Sequence, residues 1–350
     1  MKKIDERDTM FARMSYDFNG KEYNDYYFRN PDKKIIDDEF RNMPDFGSKE
    51  TTTYDEVFTP LGNSNFKFLA DIKHLVNGKC SEEKVNVSPE KITKAIKKLG
   101  KYFGAVEIGI TKMEDYHYYS YRGRNGHYGE KIKEYHKHKY GIVFAVEMEK
   151  NLINRAPNVE EAITVTQGYV KAAIIGMQLS YYIRELGYPA RNHMDGNYLI
   201  IAPRVAEDAG LGEVGRNGLL TNKKYGSRIR LGVVTTDLQL LEDEKKLFGL
   251  KEFCDLCKKC SKNCLGRAIS DKSLKDKEFN FSQENCFKVW KKLGTDCGVC
   301  ISSCPFSQNV PNELLKNEIL TKEDMDKILE WDKKTNGRRM YLKEKDNLII

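Results

Sequence analysis

The sequence predicts an α+β fold that ends in a small cysteine-rich module. Apolar runs at 104–111 and 140–148 have the character of strands, and Ser88 and Asn158 are good starts for helices. Eight of the nine cysteines in the 350 residues lie between Cys254 and Cys304. We therefore divide the chain into an N-terminal arm (1–85), a core (86–245), the cysteine-rich module (246–312) and a C-terminal extension (313–350).

The cysteines form two runs with the spacing of bacterial ferredoxins. The first run is C-x2-C-x2-C-x3-C, and the second ends in C-x2-C-x3-C-P with a first cysteine further upstream. In such pairs of runs the fourth cysteine of each run ligates the other cluster. We predict two [4Fe–4S] clusters, one held by Cys254, Cys257, Cys260 and Cys304, and one by Cys264, Cys286, Cys297 and Cys300.

Zinc and disulfides are the alternatives for these cysteines. Zinc sites more often pair two C-x2-C units across a longer gap, and disulfides suit small secreted chains. Both are therefore less favoured than the clusters. Cys80 lies outside the runs, and we expect it to be a buried free thiol.

The net charge of +7 is spread along the chain rather than gathered in one block. Such a balance favours solubility and an acidic partner, such as a ferredoxin or flavodoxin that donates electrons. Nucleic acid is disfavoured as a partner because no basic stripe or binding motif is present. The absence of a membrane-length apolar run and of an export signal predicts a cytoplasmic protein with no membrane partner.

The sequence predicts more specific structural features for three segments. The arm is polar and rich in tyrosine, which predicts an extended segment laid on the core. Asn158 with Glu161 approximates a capping box for a helix that runs to Gly187. The segment 115–129 is a loop dense in aromatic and cationic residues, which either covers a flat ligand or packs on the surface.

Gly210, Gly212 and Gly215 match the dinucleotide fingerprint G-x-G-x-x-G. That fingerprint requires a preceding strand and a βαβ unit. The residues before it are polar with helical spacing, so a nicotinamide site is disfavoured. Glycines here more plausibly let the backbone approach a large ligand closely.

A double-cluster module joined to a larger domain predicts redox chemistry in that domain. Clusters transfer single electrons, so a second cofactor in the core is needed for bond cleavage. The composition leaves flavin, haem and corrinoid open, although no C-x-x-C-H motif for attached haem occurs.

Several motifs resemble those of corrinoid-dependent reductive dehalogenases. The second cysteine run, Gly294-Thr-Asp-Cys297-Gly-Val-Cys300-Ile-Ser-Ser-Cys304-Pro-Phe-Ser307, resembles their second cluster motif. The stretches 209–216, 224–230 and 235–237 resemble their corrinoid-domain block, and residues 7–41 resemble their N-terminal arm. Epoxyqueuosine reductases share the cluster module and the 209–212 block, but match the second run and the arm less well.

The resemblance implies a nitroreductase-like core that binds cobalamin and cleaves a carbon–halogen bond with electrons from the clusters. It implies Tyr169 as the proton donor, Arg228 and Arg230 as assisting cations, and Asn192 or Asn197 as orienting groups. It also implies cofactor contacts from Gly210, Gly212, Gly215, Arg216, Asn192 and His193, the last as a candidate lower cobalt ligand.

The substrate expected on this basis is a small organic molecule such as an organohalide. Two other functions stay open at the level of sequence. An epoxyqueuosine-reductase-like enzyme would modify tRNA and use Asp195 as its proton donor. An iron–sulfur electron-transfer protein would have clusters but no substrate of its own.

Overall fold

A four-stranded antiparallel sheet with the strand order β1-β2-β6-β3 forms the centre of the molecule. It is seen in a computed structural model that describes residues 3–134, 137–274 and 281–342. The strands are β1 (Glu107–Lys112), β2 (Tyr140–Glu147), β3 (Ala190–His193), β4 (Glu213–Val214), β5 (Leu220–Thr221) and β6 (Ile229–Thr236). β2 pairs with β1 on one side and with β6 on the other, so the long apolar run is a central strand, as predicted.

Helices make up most of the remaining regular structure. They are α1 (Met10–Met14), α2 (Lys21–Arg29), α3 (Pro31–Arg41), α4 (Thr59–Ile72), α5 (Pro89–Tyr102), α6 (Lys150–Ile153), α7 (Val159–Glu185), α8 (Ala202–Asp208), α9 (Leu250–Cys257), α10 (Lys259–Asn263), α11 (Gln283–Leu293), α12 (Val299–Ser302) and α13 (Lys322–Asn336). Among the described residues, every helix is too short or too polar to cross a lipid bilayer.

Helices cover both faces of the sheet because successive side chains of a strand point to opposite sides. Ile142 and Phe144 pack with residues of α5 and α7 on one face. Val143 and Ala145 pack with residues of α8 on the other face. The burial of both faces explains why β2 is apolar throughout rather than alternating.

The two predicted helix starts have different caps. Ser88 accepts a hydrogen bond from the Lys91 N–H at 3.3 Å, as expected for an N-cap. α7 begins after Asn158, as predicted, but the Asn158 side chain does not cap it. The predicted capping box is wrong, because Glu161 is fully buried and turned toward the cysteine-rich module.

The N-terminal arm is helical rather than extended, which corrects the expectation from sequence. Tyr23, Tyr26 and Tyr27 lie on one face of α2 and are buried together with Tyr16. Tyr26 and Tyr27 follow Tyr23 by three and four residues, which is the spacing of one helix face. The number of tyrosines alone did not show this pattern. The 115–129 loop packs against this arm, where Arg7 lies 4.4 Å from the Tyr121 ring centroid.

A buried ion-pair cluster fastens the arm to α11. Arg13 pairs with Asp37 at 2.6 Å and with Glu284 of α11 at 2.8 Å. Beside it, the Phe11 ring contacts the rings of Phe287 and Trp290 with centroids about 6 Å apart. The arm therefore meets the cysteine-rich module as well as the core.

The G-x-G-x-x-G stretch is not a nucleotide-binding loop. It follows α8 rather than a strand, and it leads into the β4–β5 hairpin. Gly212 has φ +155°, and a Cβ there would lie 2.3 Å from the Thr221 carbonyl oxygen. Glycine is therefore required by the close approach of two backbone segments.

The C-terminal extension packs on the module through α13. Ile328 is buried against Phe253 and Phe306, and Trp331 is partly buried beside them. Lys259 of α10 forms an ion pair with Asp332 of α13. Residues 343–350 of the predicted extension lie outside the described residues.

We expect Asp37→Asn to destabilise the protein by about 3 kcal/mol, because it removes the main counter-charge of the buried Arg13. The thermal midpoint, followed by circular dichroism, should fall by about 5 °C. Lys327→Met is the control, since its pair with Glu323 is exposed and contributes little. Equal midpoints for the two variants would contradict the importance of the Arg13 cluster.

Candidate active site

The eight clustered cysteines separate into two groups according to the cavities they line. The outer group lines a cavity of about 20 Å³ and consists of Cys254, Cys257, Cys260 and Cys304. The inner group lines a cavity of about 350 Å³ and consists of Cys264, Cys286, Cys297 and Cys300. The structure thus brings together the same two sets that the interleaved spacing predicts.

The thiols of each group are close neighbours in buried surroundings. Burial, followed by the neighbouring Cys254 and Cys257, raises the pKa of Cys260 to about 12. Burial and the neighbouring Cys264 raise the pKa of Cys286 to about 12. Because burial disfavours the thiolate, a bound metal cluster would have to supply the compensating positive charge.

The outer and inner cysteine groups are neighbours. Cys260 of the outer group lies on α10, Cys300 of the inner group lies on α12, and these two helices pack against each other. Burial raises the pKa of the Cys300 thiol well above its usual value. Within the described residues, no three His, Cys, Asp or Glu side chains are arranged to hold a single metal ion.

The large cavity, of about 350 Å³, lies between the core and the cysteine-rich module. Its walls are mainly apolar and include Met148, Ile200, Leu219, Ile229, Leu231, Val289, Trp290 and Ile301. Tyr169 and Arg230 stand on the core side, opposite the inner group. Residues 275–280, between the lining residues Ile269 and Phe281, lie outside the described residues.

Tyr169 and Arg230 form a stacked pair at the edge of this cavity. The guanidinium carbon of Arg230 lies 4.0 Å from the centroid of the Tyr169 ring. The approach of β6 to α7 depends on Gly168, since a Cβ there would lie 3.2 Å from the Arg230 Cβ. Burial raises the pKa of Tyr169, while the positive charge of Arg230 acts in the opposite direction.

Arg230 is surrounded by groups that favour its charge. Burial acts to lower the pKa of Arg230, but Tyr169 and Asp296 raise it above its usual value overall. Its Nη2 lies 3.7 Å from the Met148 sulfur, and its buried Nε has no hydrogen-bond partner within the described residues. The side chain is thus a fixed cation that retains an unused donor.

A second cavity, which we call the aromatic chamber, lies on the other side of Tyr169. It measures about 300 Å³ and is bounded by the aromatic residues Phe11, Phe46, Tyr54, Phe58, Phe66, Tyr169 and Trp290. Tyr169, Trp290 and Asp296 line both this chamber and the large cavity. Among the described residues, its charged lining consists of Asp195 and Asp296, without a Lys, Arg or His side chain.

Two carboxyl groups near the pair were missed by the sequence reasoning. Burial raises the pKa of Glu161 well above its usual value, and the adjacent Asp296 raises it further. A Cβ at Gly298 would lie 2.1 Å from the Glu161 Oε1, so Gly298 is needed for this contact. In the sequence, the one indication of these two carboxyl groups was the position of Asp296 directly before Cys297 in the second cysteine run.

Asp195, the alternative proton donor, also lines the aromatic chamber. Burial raises the pKa of its carboxyl group, although Arg124 and Arg230 partly oppose the shift. The structure therefore brings Tyr169, Arg230 and Asp195 to one place.

His193 and Asn192 lie away from both cavities, contrary to expectation. The His193 Nε2 lies 3.0 Å from the Thr235 Oγ1, and its Nδ1 accepts a hydrogen bond from the Leu199 N–H. Asn192 donates to the Ala173 carbonyl oxygen at 3.2 Å. Both lie in β3, where Asn192 faces α7 and His193 faces the opposite side of the sheet, and neither lines the two cavities. Their assignment as cofactor contacts stays a prediction.

Arg228 and Asn197 are likewise held by other contacts. Arg228 donates to the Ser307 carbonyl oxygen and pairs with Glu147, which joins the module to the core. Asn197 accepts from Arg191 at 2.7 Å and donates to the Lys73 carbonyl oxygen. Neither lines the large cavity or the aromatic chamber, so the geometry does not favour the catalytic roles predicted for them.

The expected corrinoid contacts around Gly215 lie at the outer cysteine group instead. Gly215 and Arg216 line the small cavity, whereas Gly210 and Gly212 line neither large space. The buried Arg216 donates to the carbonyl oxygens of Cys254, Ser270 and Lys272 and pairs with Asp255. Its role is to hold the loops around the outer group.

Known proteins similar to this chain include reductive dehalogenases. The tetrachloroethene reductive dehalogenase of Desulfitobacterium hafniense is 36% identical over 187 residues, which are 49% of this chain and 34% of that protein. The enzyme of the same name from Sulfurospirillum multivorans is 31% identical over 178 residues, 48% of this chain and 35% of that one. The chain thus spans about a third of the length of these relatives. No family model matches the sequence.

An epoxyqueuosine reductase from Francisella cf. novicida (strain Fx1) is 30% identical over 175 residues, 45% of this chain and 47% of that protein. Among solved structures, the catabolic reductive dehalogenase NpRdhA in complex with 3-bromo-4-hydroxybenzoic acid has a TM-score of 0.75 at 24% identity. That match covers 97% of this chain and 47% of NpRdhA. It shows that the two proteins have a similar fold. The resemblance inferred from the motifs is confirmed.

We expect Asp195→Asn to change how stability depends on pH. Because burial raises the Asp195 pKa above 3.8, the folded protein holds this proton more tightly than the unfolded chain does. The stability this provides is complete below 3.8 and is lost as the pH rises through the folded pKa. The thermal midpoint of Asp195→Asn relative to the natural protein should therefore rise over that window, and a constant difference would contradict the shift.

Proposed function

We propose that this chain, a relative of the reductive dehalogenases, is a corrinoid- and iron–sulfur-dependent reductase that removes halogen from a small organic molecule. One observation carries the proposal. Tyr169, stacked on Arg230, lines both a cavity bordered by four cysteines and an aromatic chamber. The site would then bring together an electron source, a space for the cofactor, a proton donor and a space for the substrate.

The large cavity suits a corrinoid in its chemistry. Its walls are apolar, the inner cysteine group borders it, and the unpartnered Nε of Arg230 offers a hydrogen bond at its edge. A corrinoid bound there would supply the cobalt centre at which the carbon–halogen bond is cleaved. Under this proposal the core is of the nitroreductase-like type, and His193 is not a cobalt ligand because both its ring nitrogens are in use.

The two cysteine groups are proposed to hold two [4Fe–4S] clusters. Each group provides four thiols, which is the number such a cluster requires. The two groups are neighbours because α10, which carries Cys260, packs against α12, which carries Cys300. Electrons would pass from the outer group to the inner group and then to the large cavity.

The aromatic chamber is the proposed substrate site. Its rings offer a flat, apolar surface, and Phe66 lies with its centroid 6.1 Å from that of Tyr169. An anionic substrate would find no cation in the described lining and would meet two carboxyl groups instead. We therefore propose an uncharged organohalide.

Tyr169 is proposed to donate the proton that replaces the halogen. Burial keeps its hydroxyl protonated, and Arg230 at 4.0 Å stabilises the phenolate that remains after proton transfer. Arg230 itself stays charged because nearby Asp296 and Tyr169 favour its cationic form.

A second candidate is a reductase in which Asp195 donates the proton. The observation that favours it is the position of Asp195 in the same chamber, with its pKa raised by burial. The epoxyqueuosine reductase relative gives this alternative a precedent in sequence. Replacement of each donor separately distinguishes the two.

Anaerobic reconstitution with iron, sulfide and hydroxocobalamin is the first test. We expect about eight irons and one cobalt per chain. Cys257→Ser and Cys286→Ser should each lose about half of the iron, because each removes a ligand of a different cluster.

The same series contains its own control. Cys80→Ser should keep the full iron content, since Cys80 belongs to neither group. Full iron in Cys257→Ser would refute the ligand assignment. Iron without cobalt in the natural chain would favour the electron-transfer function over the reductase.

We expect Tyr169→Phe to lower kcat/KM for an uncharged organohalide by at least about 100-fold, because the proton donor is lost. Its cobalt content, iron content and absorption spectrum should match those of the natural chain. The control is Tyr102→Phe, since Tyr102 is exposed and distant from the cavities. Turnover retained in Tyr169→Phe but lost in Asp195→Asn would assign the proton to Asp195.

A further inference from the structure

A cationic surface with an apolar centre lies over the outer cysteine group. Leu256, between two cysteines of that group, is 48% exposed. Around it in sequence stand Lys251, Lys258 and Lys262, of which Lys251 and Lys262 are exposed. We call this surface, formed by residues 251–262 of α9 and α10, the outer face.

Three lysines of the outer face are without an ion pair in the described part of the chain. Lys251, Lys258 and Lys262 form no ion pair with any described residue, and Glu252 is the one exposed carboxylate among them. Asp255 is already engaged by Arg216, and Lys259 by Asp332. The exposed Arg338 extends the positive surface, since its Nε donates to Asn263 beside Lys262.

The position of the outer face suits the entry of electrons from another protein. The outer group lines neither the large cavity nor the aromatic chamber, whereas the inner group borders the large cavity. The helices α10 and α12, which carry Cys260 and Cys300, pack against each other and make the two groups neighbours. An electron that arrives from another protein would therefore reach the outer group first.

We propose that the outer face docks an acidic ferredoxin, which delivers electrons to the cluster of the outer group; this inference rests on the proposed function. In each transfer the iron–sulfur centre of the donor is oxidised by one electron and the outer cluster is reduced by one, with no exchange of atoms. Charge complementarity steers such a partner, while Leu256 provides the apolar centre that a small transient interface needs.

The test measures how fast a reduced plant-type [2Fe–2S] ferredoxin reduces the oxidised, reconstituted protein in anaerobic stopped-flow absorbance. At low ionic strength the double substitution Lys251→Glu with Lys262→Glu should lower the second-order rate constant at least about tenfold, since steering raises association rates by more than this. In the natural chain the rate constant should fall as salt is added.

The matched control is Lys94→Glu with Lys98→Glu. These two exposed lysines lie on α5, which packs on the sheet and not on the module, and the substitution changes the net charge equally. The control should keep the natural rate constant. Equal rate constants in the two double variants, or a natural rate constant independent of salt, would overturn the proposal.

Two further measurements distinguish a loss of ferredoxin docking from other causes of a lower rate constant. Reduced methyl viologen, a small cation, should reduce the outer-face variant no more slowly than the natural chain, which shows that its clusters are intact. If the double Glu variant loses iron, Lys251→Gln with Lys262→Gln replaces it and should give a smaller loss of rate. The absence of dehalogenation with chemical reductant would contradict the proposed function, while ferredoxin docking would still be measurable.

Discussion

The arrangement of the site depends on the charge of Arg230, whose side chain is half-buried at the large cavity. A guanidinium removed from water is costly unless its surroundings compensate it. The compensation comes from the Tyr169 ring at 4.0 Å and from Asp296, with Glu161 and Tyr198 also contributing. These groups belong to β6, α7, the loop before Cys297 and the segment after β3, so one charge requires core and module to meet in one orientation.

The cysteines impose a second constraint of the same kind. Cys304 lies with the first run and Cys264 with the second, so both runs have to fold together before either group is complete. Arg216 supports this crossing, since it binds carbonyl oxygens of both Cys254 and the 270–272 loop. A core residue thus holds the outer group, so the 209–216 block acts on the cysteine-rich module although it lies away from the large cavity.

Local patterns predicted the central strand, the helix after Asn158 and the division of the cysteines, because each depends on spacing along the chain. Local patterns did not show which of Arg228 and Arg230 lies beside Tyr169. The two are separated by one residue at the start of β6, yet Arg228 turns to Ser307 and Glu147 while Arg230 turns to Tyr169. Only the tertiary contacts distinguish them. Glu161 was likewise placed in a capping box by its neighbours in sequence, whereas its contact is with Gly298, more than a hundred residues away.

The helical arm completes the site in a way that the extended arm expected from sequence would not. Phe58, Thr59 and Phe66 project from the start and middle of α4 into the aromatic chamber, and α4 packs along α7 beside Tyr169. On the proposed function, electrons reach Tyr169 from the module, whereas residues of the arm form the chamber on which Tyr169 also borders. Among the described residues, the large cavity and the aromatic chamber share Tyr169, Trp290 and Asp296. A change of residues in α4 therefore alters the shape of the substrate space without altering the cysteine groups. On the proposed function, substrate range and electron delivery are properties of separate surfaces that these three residues join.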